Sequence, residues 1–439
     1  MSTEELKILV CPSGFKGSLQ PGVAADCIEA GILSVLPDAR VFKVPLLDGG
    51  EGFTHGLVLP TGGTIHRIQV TGPTGTPVKS YFGILGQVQR ETPRTAQQAL
   101  KRIENQPPSQ TPPPIKTAII EMAAAAGLSL VPPHLRNPGV TTTFGVGEQI
   151  LSALDAGALR IIVGCGDAGT CDGGAGMLQC LGARLFDARG EQIPTARGGE
   201  SLRHLDRIDL GGLDPRLRSG AVKIEASVNW TSVLTGPGQQ AGIFSAQKGA
   251  TVHQAEILAS CMSRLADASA RALGCSASKI GRAPGSGASG GLGTALRLIG
   301  ATLRPRYDVM ADFSPLLCSL LPDEKAGEGA CELDLVITAE GGIDGQTPQG
   351  KMPADVARRA RRLGVPVVAI AGTVGEGARE NLAVGIDAFA CMMQGPTTLG
   401  EAVADAERLA REAAETVMRI VGVGLKVSER CARKREVAV

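Results

Sequence analysis

Acidic residues stand among glycines at two places, each directly after an apolar run. The first run ends in Asp48 and Glu51, and the second leads into a loop with Asp167, Thr170 and Asp172. Carboxylate oxygens on a tightly folded backbone suit Mg²⁺, and the amides of a glycine-rich loop can converge on an anion. The acidic residues would repel a phosphate unless a metal bridged them, so these segments predict Mg²⁺ with a nucleotide or phosphorylated ligand.

The most informative single segment is ITAEGGIDGQTPQGKMP, which follows an apolar run in the last quarter of the chain. It brings together Glu340, Asp344, Thr347 and Lys351. Carboxylate, hydroxyl and ammonium groups after one strand are the parts that orient a substrate hydroxyl and balance phosphoryl charge. The segment therefore predicts phosphoryl-transfer chemistry.

Two further glycine-rich turns are candidate anion sites. The first carries Lys16 and, where a helix could begin, Ser18; helix N-terminal amides beside an ammonium group bind phosphate or carboxylate. The second, residues 283–295, contains G-x-G-x-x-G but no acidic residue at the distance of a dinucleotide fingerprint, which favours an anion cradle. Ordinary surface turns stay open as the alternative for Lys16 and Asp48.

The composition excludes several classes of protein. The 439 residues include 44 basic and 43 acidic side chains, and aromatic residues make up only 3%. A near-neutral chain with few aromatic residues argues against a nucleic-acid binder, and no apolar stretch approaches a membrane span. Eleven cysteines without a C-x-x-C pair indicate free thiols in a reducing compartment. We expect a soluble cytoplasmic protein without a nucleic-acid or membrane partner.

Short apolar runs alternate with alanine-rich amphipathic stretches along most of the chain. The strand-like runs are residues 6–12, 160–166, 333–341 and 365–373. Runs of this kind suit parallel strands covered on both faces, and the alternation predicts an α/β protein. The polar, proline-rich stretch 87–114 is expected to be an exposed insertion with a short helix at 95–104, and the basic tail 426–439 is expected to fray.

Many segments, in order and nearly end to end, match one family. They are FKGSL (15–19), VPLLDGGEG (44–52), IEMAAAAGLSLVPPHLRNPGVTTTFGVGE (120–148), CDGGAGMLQCLGAR (171–184), LTGPGQQAGIFSAQKGAT (234–251), GASGGLG (287–293), EGGIDGQTPQGKMP (340–353) and VPVVAIAGT (365–373). The chain resembles the type I glycerate kinases, which phosphorylate glycerate with ATP.

The resemblance implies the fold of that family: two α/β domains with the substrate in a cleft between them. Residues 1–75 and 285–439 would form a discontinuous domain with a parallel, Rossmann-like sheet. Residues 76–284 would form the second α/β domain.

The ligand loops depart from the family pattern more than the scaffold does. Ser13 and Gly14 replace Asp and Ser, Asp167 intrudes into a glycine loop, and the family's Arg after the Gly-Glu-Gly motif is Gly342. In the segment 227–236, family carboxylates and an Asn have become the three polar residues Asn229, Thr231 and Ser232. Such changes are typical of a retuned or abandoned site on a retained fold.

The resemblance implies ATP- and Mg²⁺-dependent phosphorylation of a hydroxyl of glycerate or a related hydroxy acid. Catalytic roles fall to Lys16, Asp48, Asp172 and Asp344, with Asp48 and Asp172 also as metal ligands; either Asp172 or Asp344 takes the hydroxyl proton. The expected binding residues are Ser18, Glu51, Thr170, Gly173, Gly174, Asn229, Gly290, Gly291, Glu340, Thr347 and Lys351.

Two other functions stay open on the same fold. One is an enzyme of another class, a lyase, isomerase or cyclase acting on a different acid without nucleotide, and the other is a ligand-binding homologue without activity. The expected partner is a small-molecule hydroxy acid, and a homodimer is left open.

Overall fold

The computed structural model of the chain describes residues 5–15, 17–86, 115–237, 245–322 and 333–437. Lys16 and the helix expected at 95–104 lie outside the described residues. Within them, no helix is both long and apolar enough to cross a membrane.

The strands follow the apolar runs of the sequence. They are β1 (Lys7–Pro12), β2 (Arg40–Lys43), β3 (Thr64–Thr71), β4 (Pro77–Ile84), β5 (Thr117–Glu121), β6 (Arg160–Gly164), β7 (Arg184–Asp187), β8 (Leu205–Asp209), β9 (Lys223–Val228), β10 (Thr302–Pro305), β11 (Leu335–Ile343), β12 (Val367–Val374) and β13 (Ala388–Cys391).

The helices lie between these strands and at the C-terminal end. They are α1 (Pro21–Val35), α2 (Phe53–Val58), α3 (Ala123–Ala126), α4 (Phe144–Asp155), α5 (Ala175–Cys180), α6 (Pro215–Arg218), α7 (Val252–Leu273), α8 (Ala277–Gly281), α9 (Ala288–Leu298), α10 (Arg306–Phe313), α11 (Pro315–Leu320), α12 (Met352–Arg362), α13 (Leu399–Ala404) and α14 (Ala406–Val437).

The chain forms two compact units, one of them built from both ends of the sequence. This discontinuous unit comprises residues up to 47 and from 310 onward. Its five strands are all parallel, in the order β13-β12-β11-β1-β2. If these five strands are numbered 1 to 5 in chain order and the sheet is read from β2, the order is 2-1-3-4-5, a doubly wound sheet. The predicted parallel α/β sheet is confirmed. Its switch point lies between β1 and β11, where open α/β sheets place their ligands.

The discontinuous unit packs α1 and the long helix α14 together over one face of its sheet. The two helices approach closely at Gly31, where a Cβ would lie 2.3 Å from the carbonyl oxygen of Arg411. The expectation that the tail from 426 frays is wrong for the described residues, because α14 continues to Val437.

The central unit, residues 48–309, contains a mixed sheet in the order β10-β9-β6-β5-β4-β3. The strands β5, β6, β9 and β10 are parallel, whereas β4 pairs antiparallel with both β3 and β5. A separate antiparallel pair joins β7 to β8. The carboxyl ends of β6 and β9 therefore carry the loop with Asp167, Thr170 and Asp172 and the turn with Asn229 that the sequence singled out.

The boundaries of the two units differ from those expected at 75/76 and 284/285. Residues 64–71 form β3, which pairs with β4, and residues 302–305 form β10, which pairs with β9. Backbone hydrogen bonds thus join both segments to the central sheet, and the chain divides at 47/48 and 309/310 instead.

A buried carboxylate ties three parallel strands of the central unit together. Glu225 on β9 accepts hydrogen bonds from Arg160 on β6 and Arg304 on β10, at 2.9–3.0 Å. Lys223 lies 2.7 Å from the same carboxylate. Burial raises the pKa of Glu225, but these cations outweigh it and hold the pKa at about 2. Glu225 is therefore ionised and fully compensated at neutral pH.

We expect Glu225→Gln to lower the free energy of unfolding by about 3 kcal/mol, because it leaves several cations without their buried counter-charge. Urea denaturation followed by circular dichroism measures the difference. Since the folded-state pKa is lowered from 4.5 to about 2, the deficit should be complete above pH 4.5 and shrink as the pH falls towards 2.

The control for this variant is Glu429→Gln, which removes an exposed partner of Arg433. An exposed pair of this kind contributes less than about 1 kcal/mol. Equal losses from the two substitutions would contradict the assigned role of Glu225.

Candidate active site

In the central unit, the loop Asp48–Gly52 lies directly against the carboxyl end of β6. Two glycines make this approach possible: a Cβ on Gly166 would lie 2.4 Å from the amide nitrogen of Gly50, and one on Gly164 would lie 2.8 Å from the carbonyl oxygen of Gly49. Real Cβ atoms do not approach backbone so closely, so the glycines are required here by backbone-to-backbone contact.

This contact brings two carboxylates to the same glycine. A Cβ on Gly50 would lie 2.1 Å from Asp167 Oδ2 and 3.1 Å from Asp48 Oδ1. The amide of Gly50 donates to Asp48 Oδ1 at 3.0 Å, and the amide of Glu51 donates to Asp167 Oδ2 at 3.1 Å. Asp48 and Asp167 thus converge, with Glu51 held beside them.

The sequence singled out Asp167 as an acidic residue of the glycine-rich loop without assigning it a role of its own, and its position makes it a candidate ligand. Its φ of 48° lies in the left-handed region that side-chain-bearing residues seldom adopt. Such strain is common at ligand sites. An acidic residue inside a glycine loop was the available sequence signal.

Asp172, expected from the sequence as a metal ligand and proton acceptor, is bound by the protein's own donors. It is buried and accepts four hydrogen bonds, from the amide and hydroxyl of Thr143 and from the amides of Gly174 and Gly176, at 2.8–3.1 Å. Burial raises its pKa despite these bonds. Because Thr143, Gly174 and Gly176 all donate to this one carboxylate, Asp172 holds the loop in place.

The expected binding glycines pack a loop of the central unit against the start of α9, where the backbone of residues 289–291 departs from helical φ and ψ. The amide of Gly173 donates to the carbonyl of Gly290 at 2.9 Å. A Cβ on Gly290 would lie 2.1 Å from the carbonyl oxygen of Thr170, and one on Gly291 would lie 2.8 Å from the Cα of Gly173. Gly174, in the left-handed region, precedes helix α5.

A buried lysine that the sequence did not single out supports the same loops. Lys248 donates to the carbonyl of Thr170 at 2.6 Å and lies 3.5 Å from Cys171 Sγ. The buried hydroxyl of Thr170 has no hydrogen-bond partner within the described structure. Lys248 belongs to the segment 234–251 that carries the family resemblance, and that match was the only signal for it.

Asn229 and Arg306 lie at the carboxyl ends of the neighbouring strands β9 and β10. Asn229 Oδ1 accepts from the amide and hydroxyl of Thr231 at 3.1 and 2.9 Å, which forms a tight turn. Arg306 donates to the carbonyl of Cys165 at 2.9 Å, directly after β6.

In the discontinuous unit, Glu340 near the end of β11 and the residues that follow this strand form one polar cluster. Lys351 Nζ lies 3.3 Å from Glu340 Oε1 and 3.6 Å from Asp344 Oδ1. The Asp344 carboxylate also accepts from the amides of Gln346 and Thr347, at 2.8 and 3.2 Å. The two carboxylates and the ammonium group thus lie together at the end of this strand, with Thr347 inside the turn.

The loop after β1 lies on the other side of the same switch point. Ser13 donates to the carbonyl of Ala339 from its amide and its hydroxyl, at 2.8 and 3.0 Å. Ser18 does not begin a helix as expected: its amide donates to the carbonyl of Phe15, and α1 starts at Pro21. The proline there fixes the helical φ without needing an amide partner.

The comparisons with known proteins identify the family of this chain. The doubly wound sheet, the mixed sheet and the glycine- and carboxylate-rich loops at their strand ends define an α/β protein of the phosphotransferase kind. The chain belongs to the glycerate kinase family, whose model matches residues 8–422. It is a glycerate kinase-like phosphotransferase.

Named relatives match over nearly the full chain. A glycerate kinase of Bacillus subtilis is 40% identical over 94% of this chain and 98% of its own length. A glycerate 2-kinase of Escherichia coli is 36% identical over 96% and 99%. A crystal structure assigned as glycerate kinase 2 of Salmonella typhimurium matches with a TM-score of 0.67 and 38% identity over 96% and 100%.

We expect Asp172→Asn to lower the free energy of unfolding by about 2 kcal/mol, because a carboxamide offers one acceptor oxygen to donors that now share two. Urea denaturation measures the change. The control is Asp187→Asn, since Asp187 accepts two backbone amides in an exposed turn. A loss no larger than that of the control would contradict the loop-holding role of Asp172.

Proposed function

We propose that the protein phosphorylates a hydroxyl group of glycerate, or of a related small hydroxy acid, with ATP and Mg²⁺. The convergence of Asp48 and Asp167 on Gly50 is the observation that carries this proposal. The names of the relatives support glycerate as the substrate.

The donor set at Gly50 fits Mg²⁺ bound together with a nucleotide. Among the described residues no three His, Cys, Asp or Glu side chains come together as a metal cage. Mg²⁺ in phosphoryl-transfer enzymes needs only one or two carboxylates, because phosphate oxygens and water complete its shell. Asp48 and Asp167 would hold the ion, which when bound would neutralise charge on the phosphates.

The protein's own residues supply the remaining chemistry. We assign the acceptance of the hydroxyl proton to Asp344, because the Asp344 side chain is 35% exposed whereas Asp172 is buried among protein donors. Lys351, beside Asp344 and Glu340, balances charge there. Lys16 is assigned to the carboxylate of the substrate or to a phosphate. Positioning and electrostatics contribute most of the rate in such transfers.

The direct test incubates the purified chain with ATP, Mg²⁺ and a panel of hydroxy acids that includes glycerate. We expect ADP to form only when a hydroxy acid is present, and ³¹P NMR then identifies which hydroxyl carries the phosphate. Absence of turnover across the panel, with Mg²⁺ and with Mn²⁺, would overturn the proposal.

Calorimetry with ATP and Mg²⁺ then separates the two other functions. Nucleotide binding without turnover would indicate a ligand-binding homologue. No nucleotide binding would indicate an enzyme of another class on this fold.

We expect Asp48→Asn to raise the Mg²⁺ concentration needed for half-maximal activity by about tenfold or more, because it removes one full charge from the metal shell. Initial rates measured over a Mg²⁺ series give this value. Asp209→Asn is the matched control, since Asp209 also accepts the amide two residues onward, from Gly211 at 2.8 Å. An unchanged Mg²⁺ requirement in Asp48→Asn would exclude Asp48 as a ligand.

A further inference from the structure

A second buried carboxylate, Glu121, ends strand β5 of the central unit. It pairs in the sheet with Gly164, the last residue of β6, and is 1% exposed. Its oxygens accept from the hydroxyl of Tyr81 at 2.9 Å and from the amide of Thr54 at 3.1 Å. The amide of Gly52 donates to it as well.

These donors connect Glu121 to the loop Asp48–Gly52. Gly52 is the last residue of that loop, and Thr54 lies in the first turn of α2, which the loop enters. One buried carboxylate therefore fixes the point where the loop ends, while the glycine contacts at β6 support its middle. The backbone that carries Tyr81 and Glu121 is also fixed, since the Gln149 side chain donates to the carbonyls of both residues at 3.0 and 3.1 Å.

We propose that Glu121, held by Tyr81, is a positioning residue whose ionised carboxylate sets the conformation of the Asp48–Gly52 loop. The kinetic part of this inference rests on the proposed function, whereas the structural part does not. The ionised form offers two acceptor oxygens to its three donors. A protonated carboxyl keeps one good acceptor, so the loop loses part of its anchor.

The protonation of Glu121 falls in the neutral range. Burial raises its pKa to about 7, the charge of Glu51 adds to the rise, and the bonds from Thr54, Tyr81 and Gly52 oppose it. The titratable groups that face it are Tyr81 on β4 and Glu51 in the loop. His55 on α2 packs edge-on against the Tyr81 ring, with centroids 4.6 Å apart.

We expect Glu121→Gln to increase amide hydrogen exchange in the peptide 48–58 by about tenfold, because a carboxamide cannot satisfy all three donors. Exchange measured by mass spectrometry on the full chain gives this value. The peptide covering β6 should be unaffected, which separates a local effect from general unfolding.

The matched control is Glu148→Gln. Glu148 also accepts a backbone amide and a hydroxyl, both from Thr71, so its loss should leave the peptide 48–58 unchanged. Unchanged exchange in Glu121→Gln, or an equal increase in both variants, would overturn the proposal.

The pH dependence of exchange tests the ionised carboxylate itself. After correction for intrinsic rates, protection of the peptide 48–58 in the unsubstituted protein should fall as the pH drops through about 7, and Glu121→Gln should abolish this dependence. Tyr81→Phe removes a donor that favours the ionised form, so the midpoint should move to higher pH. A pH-independent protection in the unsubstituted protein would overturn the proposal.

Kinetics distinguish the two proposals. With an active kinase, Glu121→Gln should lower kcat and raise the Mg²⁺ requirement while the KM for the hydroxy acid changes little. Absence of kinase activity would overturn the proposed function, but hydrogen exchange in the peptide 48–58 would still test the role of Glu121.

Discussion

The candidate site of the central unit depends on backbone lying directly on backbone at the carboxyl end of β6. Side chains of any size at Gly164 or Gly166 would meet the main chain of the loop that begins at Asp48. The same absence of a Cβ at Gly50 lets the carboxylates of Asp48 and Asp167 approach one point. The absence of side chains at these glycines therefore determines where the carboxylates of Asp48 and Asp167 lie, independently of any ligand.

Three buried carboxylates of the central unit act through the protein donors around them. Glu121, Asp172 and Glu225 are buried and each is satisfied by three or more donors. A buried carboxylate with several donors costs less free energy than an unpaired buried charge, and it fixes the backbone whose amides donate to it. Glu121 anchors the loop that contains Asp48, and Asp172 anchors the loop that contains Asp167. These buried carboxylates therefore position the two candidate ligands.

The sequence predicted the parallel sheet and the polar cluster after β11, because continuous apolar runs and clustered charges are local patterns. It could not rank Asp172 against Asp344, since two of the four donors to Asp172 come from Thr143, 29 residues away in the chain. Glu121 was missed for a related reason: it ends an apolar strand, and only tertiary contacts with Thr54 and Tyr81 reveal its role. Burial and donor number are properties of the fold.

The glycine that replaces the family's arginine differs from the packing glycines. At Gly342 a Cβ would meet only the side-chain hydroxyl of Thr373, at 3.1 Å, and φ is not left-handed. Packing therefore does not demand glycine there, unlike at Gly50 or Gly166. Lys351 donates to the carbonyl of Gly342 at 3.4 Å. Its ammonium group is a compact charge, whereas an arginine at position 342 would offer a planar donor with two parallel N–H groups. Packing around position 342 therefore gives no structural explanation for this substitution.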